Sequence, residues 1–252
     1  MIPLRDSIPS SRTPVVRNAL IVACTVMWLL QTADPRGELV VRLGMIPARL
    51  TGEGSALFGR PFGLELPGPY VPDWLTLLTC TFLHGGWLHF LGNMLFLWIF
   101  GDNVEDRFGR VPFLIFYLGC GAAASAAHLA SAPGSAVPTI GASGAIAGVM
   151  GAYMFLYPKS RVLALLPLGI MLVDIVLPAP FFLGYWFVLQ LVQGSVDAGH
   201  GGGVAWWAHI GGFVVGAAVA GGLLMSERLR PARPSIVLSG RRRAQPPWRR
   251  GF

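Results

Sequence analysis

Six stretches of the chain are nearly free of charge: 15–33, 74–99, 111–130, 143–157, 162–193 and 204–225. Each approaches or exceeds the length at which an apolar helix crosses a bilayer, roughly 20 residues. The fifth stretch is too long for one simple helix and contains Asp174, Pro178 and Pro180. The pattern therefore predicts a surface or re-entrant segment over 162–176 and a span over 179–194. The resulting expectation is an all-α polytopic membrane protein with six spans: a cytoplasmic N-terminal segment 1–14, a membrane domain 15–226 and a basic cytoplasmic tail 227–252. A cleavable signal peptide is the rival for 15–33, but no small-residue cleavage site follows LLQTADP.

Composition strengthens this picture. Over 252 residues, 54% are hydrophobic and 12% charged, and the mean hydropathy is +0.60, well outside the range of soluble domains. Charge then orients the spans. Of the 19 lysines and arginines, all but Arg36, Arg42, Arg49 and Arg60 fall on one side when six spans are threaded, which places both termini in the cytoplasm. The tail RRRAQPPWRR and the net charge of +7 are explained by topology and contact with anionic lipid, so no nucleic-acid partner is expected.

Polar side chains inside apolar spans are costly and mark candidate sites. Span two contains FLHGGWLHFLGNMLF, span four starts at Ser143, and span six contains WWAHIGGFVVG. These three spans run in the same direction, so His89, Asn93, Ser143 and His209 lie at similar depth in the outer part of the membrane. His89 and Asn93 are four residues apart and share one helical face. Span four is short, about 22 Å at 1.5 Å per residue. With Lys159 and Arg161 holding its inner end at the surface, Ser143 lies below the outer surface.

Ser143 opens a helix, where unpaired N–H groups and the positive end of the dipole can hold an oxyanion. Gly141 and Gly144 leave room for a substrate carbonyl beside it. An ordinary N-cap serine is the plain alternative. A histidine within reach would instead make the serine a nucleophile, and His209 is the candidate base. Gly212 and Gly216 form a small-xxx-small pattern, and Gly144, Ala147, Gly148, Gly151 and Ala152 offer a matching face on span four. The acid in an apolar stretch, Asp174, belongs to the cytoplasmic side, so a dyad is expected. The G-x-S-x-G elbow of soluble hydrolases is absent, since 141–145 reads GASGA.

These features together resemble the rhomboid family of intramembrane serine proteases: GASG opening span four, a histidine followed by small residues in span six, and H-x-x-x-x-H-x-x-x-N through His84, His89 and Asn93. An expected loop, GDNVEDRFG, matches the family's G-x-x-x-E-x-x-x-G through Gly101, Glu105 and Gly109. The resemblance covers about 74–216 and implies a six-transmembrane-helix rhomboid-like bundle. It implies Ser143 as nucleophile and His209 as general base, with His89, Asn93 and the Ser143 amide as the oxyanion hole. His84 would support the site. It also implies cleavage of transmembrane segments of other membrane proteins near their outer end, with entry past 179–194 and a loop at 197–203. Two positions depart from some members: Ala147 stands where an aromatic would stack on the histidine, and the loop between spans one and two lacks a Trp-Arg pair.

Other classes fit less well. A metal site from His84, His89 and His209 lacks the H-E-x-x-H glutamate, and no cofactor is expected. A transporter would place polar groups near the midplane. His128 and His200 read as ordinary, and Cys24, Cys80 and Cys120 as small apolar residues without a pairing pattern. A non-catalytic relative that binds membrane-protein clients is the remaining alternative; retention of Ser143 and His209 argues against it. The Arg-rich tail suits a bacterial inner membrane.

Overall fold

The computed structural model describes residues 1–52, 70–169, 171–196 and 205–226, with Leu229, Pro234, Ile236 and Leu238. The loop at 197–203, His200, Arg60 and most of the tail lie outside the described residues.

Six helices of 14 residues or more form the body: α1 (Val15–Thr32), α4 (Trp87–Phe108), α5 (Arg110–Ser131), α6 (Ser143–Leu156), α7 (Ala179–Val196) and α8 (Trp206–Met225). Two short helices, α2 (Glu38–Leu43) and α3 (Pro47–Thr51), follow α1, and helical turns at Asp73–Leu75, Thr76–Thr79 and Cys80–Phe82 lead into α4. Helices α1, α5, α7 and α8 are each long and apolar enough to cross a membrane. Helix α4 is 22 residues long, but Asp102, Glu105, Asp106 and Arg107 occupy its last turns. Helix α6 has 14 residues and is buried on every side over its first ten residues after Ser143.

The packing follows from side-chain size. α6 sits in the middle, contacting α4, α5, α7 and α8, while α1 packs on α4 and α5. Aromatic residues fill the lower core, with Phe100 edge-on to Tyr153 at a centroid distance of 5.0 Å, a pair that adds about 0.5–1.5 kcal/mol beyond area burial. Outer faces carry exposed Val22, Val26, Leu29, Ile115, Phe181 and Val188, the apolar surface that lipid rather than water accommodates. Cys24, Cys80 and Cys120 are buried free thiols.

The expected loop at 101–109 is helical, because α4 continues to Phe108 and ends at Gly109 with φ +87°. The G-x-x-x-E-x-x-x-G spacing has a structural account. Glu105 accepts hydrogen bonds from the Val16 and Arg17 amides at 3.1 and 2.8 Å, satisfying the free donors at the start of α1. A Cβ at Gly101 would come within 2.9 Å of Arg17 Cγ, so glycine there lets α1 seat.

An all-α chain is not what forms. Three antiparallel strands, β1 (Ile2–Asp6), β2 (Arg161–Leu168) and β3 (Met171–Pro178), make a sheet in the order β1-β2-β3. The segment expected to be a surface or re-entrant stretch is thus a hairpin, paired from Arg161↔Pro178 to Leu168↔Met171. Val162, Val173, Ile175 and Val176 favour the pleated form, and Gly169 takes φ +61° at the turn. The N-terminal segment supplies the third strand. Asp6 ties that strand to the helices, accepting from Asn103 Nδ2 at 2.7 Å and from the Tyr153 hydroxyl.

Candidate active site

Ser143 and His209 come from the two most closely packed helices. A Cβ at Gly212 would collide with the carbonyl oxygen of Gly144, and one at Gly216 with that of Gly148. Only glycine lets α6 and α8 meet backbone to backbone. That approach leaves Ser143 Oγ 2.7 Å from His209 Nε2. The plain capping role does not hold: Ala142 is the N-cap of α6 and no side chain caps the helix, so the serine hydroxyl is directed to the imidazole.

The remaining sequence-selected residues border the same space. A cavity of about 510 Å³ is lined by His89, Asn93, Ser143 and His209, with Leu88, Phe96 and Trp186 among its walls. Its walls come from α4, α6, α7 and α8, and Phe96 on the α4 wall stacks on Phe182 of α7 with ring centroids 6.4 Å apart. His89 Nδ1 accepts from the Gly85 amide at 3.2 Å, so the neutral ring carries its proton on Nε2. Asn93 is buried, and its Nδ2 has no hydrogen-bond partner among the described residues. Leaving a buried donor unpaired costs about 1–3 kcal/mol. Two N–H donors, from His89 and Asn93, therefore border the cavity that Ser143 borders.

Gly141 holds the wall between them. Its φ is +131°, and a Cβ there would lie 2.7 Å from His89 Cε1 and 3.5 Å from Ser143 Oγ. Its amide donates to Cys80 O at 2.9 Å. Gly144 faces α5, where a Cβ would lie 2.5 Å from Ala124 Cβ. His84 is buried behind the cavity with neither ring nitrogen hydrogen-bonded among the described residues. It packs edge-on to His89 at a centroid distance of 5.4 Å. Among the described residues no three His, Cys, Asp or Glu side chains are grouped to hold a metal ion. A second cavity of about 470 Å³, lined by Arg12, Asp102, Glu105, Asp106 and Arg110, brings no serine and histidine together.

Sequence reasoning misses Gln190. Its Oε1 lies 2.7 Å from His209 Nδ1, and Trp186 and Trp206 flank the imidazole at 5.7 and 6.1 Å between centroids. These neighbours stand around His209 while Ala147, at the position of an expected aromatic, is buried in the core. The signal was an amide inside a largely apolar span, a polar residue of the kind that marks a site, although Gln193 three residues on gives the same signal.

The Rhomboid domain family model matches residues 71–226. The chain belongs to the rhomboid family. It is an integral membrane protein of polytopic helical form, as its apolar helices require. Among related rhomboids, the Rhomboid protease GluP of Bacillus subtilis (strain 168) is 35% identical over 147 residues, covering 58% of this chain and 26% of that protein. The chloroplastic Rhomboid-like protein 11 of Arabidopsis thaliana is 32% identical over 111 residues, covering 43% of this chain and 39% of its own. The mitochondrial Rhomboid protein 1 of Saccharomyces cerevisiae (strain ATCC 204508 / S288c) is 31% identical over 98 residues, covering 37% and 28%. The matched parts span well under half the length of these relatives.

Proposed function

We propose that this rhomboid is an intramembrane serine endopeptidase that cuts transmembrane segments of other membrane proteins near their outer end. The observation that carries the proposal is the 2.7 Å separation of Ser143 Oγ and His209 Nε2 at a cavity bordered by N–H donors. Ser143 is the nucleophile. His209 takes its proton as the hydroxyl attacks the scissile carbonyl, then returns it to the leaving amine. The carbonyl oxygen becomes an oxyanion, stabilised by the Ser143 amide at the start of α6, by His89 Nε2–H and by Asn93 Nδ2. Water then hydrolyses the acyl-enzyme by the same proton path. Gly141 keeps the space between His89 and Ser143 open, Gly144 lets α5 seat against α6, Gly212 and Gly216 keep α6 and α8 close, and His84 supports His89 from behind.

Six spans with both termini in the cytoplasm accompany this reading, with α4 and α6 counted as spans beside the four long apolar helices. The basic flanks favour a bacterial inner membrane and contact with anionic lipid. Substrate enters sideways between α4 and α7, which both wall the cavity.

The test uses purified protein in detergent or liposomes with a single-span substrate bearing a small residue near its outer end. Wild type produces two fragments, and Ser143→Ala and His209→Ala each lose them nearly completely, since nucleophile and base act as a unit. A serine-directed phosphonate labels wild type and not Ser143→Ala. Full activity in Ser143→Ala would end the proposal. Client binding without cleavage in wild type would favour the non-catalytic alternative.

A further inference from the structure

We infer that Gln190 is the positioning residue for His209, the amide that fixes which imidazole nitrogen faces Ser143; the inference rests on the Ser143–His209 reading above. Gln190 is buried on α7, a different helix from those carrying the dyad. Its Oε1 lies 2.7 Å from His209 Nδ1. An amide can present either its oxygen or its NH2 group to a neighbour, and the two choices have opposite consequences.

A second hydrogen bond decides between them. Gln190 Nε2 donates to the backbone carbonyl of Trp186 at 3.2 Å. A carbonyl oxygen cannot donate, so the NH2 group must face Trp186 and the oxygen must face His209. An amide oxygen accepts only. His209 Nδ1 must then carry the proton, and in the neutral ring Nε2 keeps its lone pair. That lone pair is 2.7 Å from Ser143 Oγ and receives the hydroxyl proton. The reverse amide orientation would set NH2 against Nδ1, demand a proton on Nε2 and leave the serine facing a donor.

The place a carboxylate holds in a Ser-His-Asp triad is here taken by a neutral amide. Asp174 is paired opposite Leu165 in the hairpin, and Trp186 and Trp206 contribute ring faces and edges rather than acceptors. The consequence is selection of tautomer and ring orientation without a second buried charge. Stacking of Phe187 on Phe213 at 4.6 Å holds α7 against α8, which keeps the amide in register with the base.

The experiment measures tautomer and kinetics on the full chain in detergent micelles. Protein labelled with 15N-histidine is compared with His209→Ala to assign the ring signals. Wild type shows His209 with an Nδ1–H and an unprotonated Nε2 at neutral pH; a wild-type ring protonated on Nε2 would overturn the inference without any Gln190 variant. Gln190→Leu loses the preference for Nδ1–H, and kcat falls at least about tenfold with KM within about twofold, set against the ~10⁴-fold cost of a wrong tautomer in an Asp-oriented triad. Gln190→Glu restores an acceptor at Nδ1 and brings kcat back to within about threefold of wild type, and a Gln190→Glu kcat as low as that of Gln190→Leu would count against the acceptor role. Wild-type kcat together with the wild-type tautomer in Gln190→Leu would refute the assignment. Cleavage surviving in Ser143→Ala would instead remove the dyad reading, while the nitrogen signals would still report on the Gln190–His209 contact.

Discussion

Asn93 shows how much one atom can carry. Its Nδ2 is a buried donor without a partner among the described residues, an arrangement that destabilises the resting fold and suits a group that finds its acceptor only when an oxyanion forms. Asn93→Ala is therefore expected to lower kcat by about 10²–10³, as loss of one oxyanion donor does elsewhere, with KM little changed. Steady-state kinetics on the single-span substrate check this, and a rise in KM alone would contradict the role. His89 can share the load, because its Nε2–H is fixed by the Gly85 amide on the other nitrogen. The identities of these residues could be read from the chain through their spacing of four, as could Ser143 and His209 through their flanking small residues. Gln190 was marked only as one of two amides in an apolar span, and nothing in the spacing separates it from Gln193 until α7 is laid beside α8.

The helices are placed by the sizes of their contact residues. α6 and α8 meet where Gly212 and Gly216 face the backbone of Gly144 and Gly148. Gly216→Val should separate them, with overpacking worth about 1–3 kcal/mol or more. Thermal unfolding in detergent should show a lower midpoint, and phosphonate labelling of Ser143 should fall as His209 moves away. β1 is the second element with a measurable dependence. Burial pushes the Asp6 carboxyl up from 3.8 to about 7, against the opposing hydrogen bond from Tyr153, with the charge of Asp102 raising it further. The folded state therefore holds this proton more tightly than the unfolded one. The stability it contributes is fully present below about pH 3.8, declines as pH rises and is lost above about pH 7. Thermal midpoints of wild type should fall across that window relative to Asp6→Asn, which keeps a polar group but cannot ionise. Parallel curves for the two proteins would show that Asp6 does not titrate there.

Orientation belongs to the whole molecule. Val137, in the segment before α6, is exposed, and so is Lys159, beyond the C-terminal end of α6. Ser160 is buried and donates to Tyr157 O at 2.7 Å, so Lys159 is the better reporter of that side. Val137→Cys should react with an impermeant thiol reagent from outside the cell and Lys159→Cys only after the membrane is opened, provided the native thiols, all buried, stay silent. Labelling of Lys159→Cys from outside would invert the topology and put the cavity on the wrong face.

Hydropathy and charge along the chain determined the membrane setting, the positions of the long apolar helices to within a few residues, and the identities of the polar residues that border the cavity. They could do so because burial in lipid imposes length and composition on each segment independently of its neighbours. The tertiary structure decided what depends on neighbours. The sheet is completed only when β1, far away in sequence, pairs with β2, and an apolar run alone does not distinguish a strand from a buried or re-entrant segment. The continuation of α4 through 101–108 is also settled against a neighbour, where Glu105 accepts from the Val16 and Arg17 amides at the start of α1. The partner of His209 Nδ1 is likewise a matter of packing: a hydrogen bond acts over about 3 Å, and only the seating of α7 on α8 brings an amide 19 residues away along the chain to that distance.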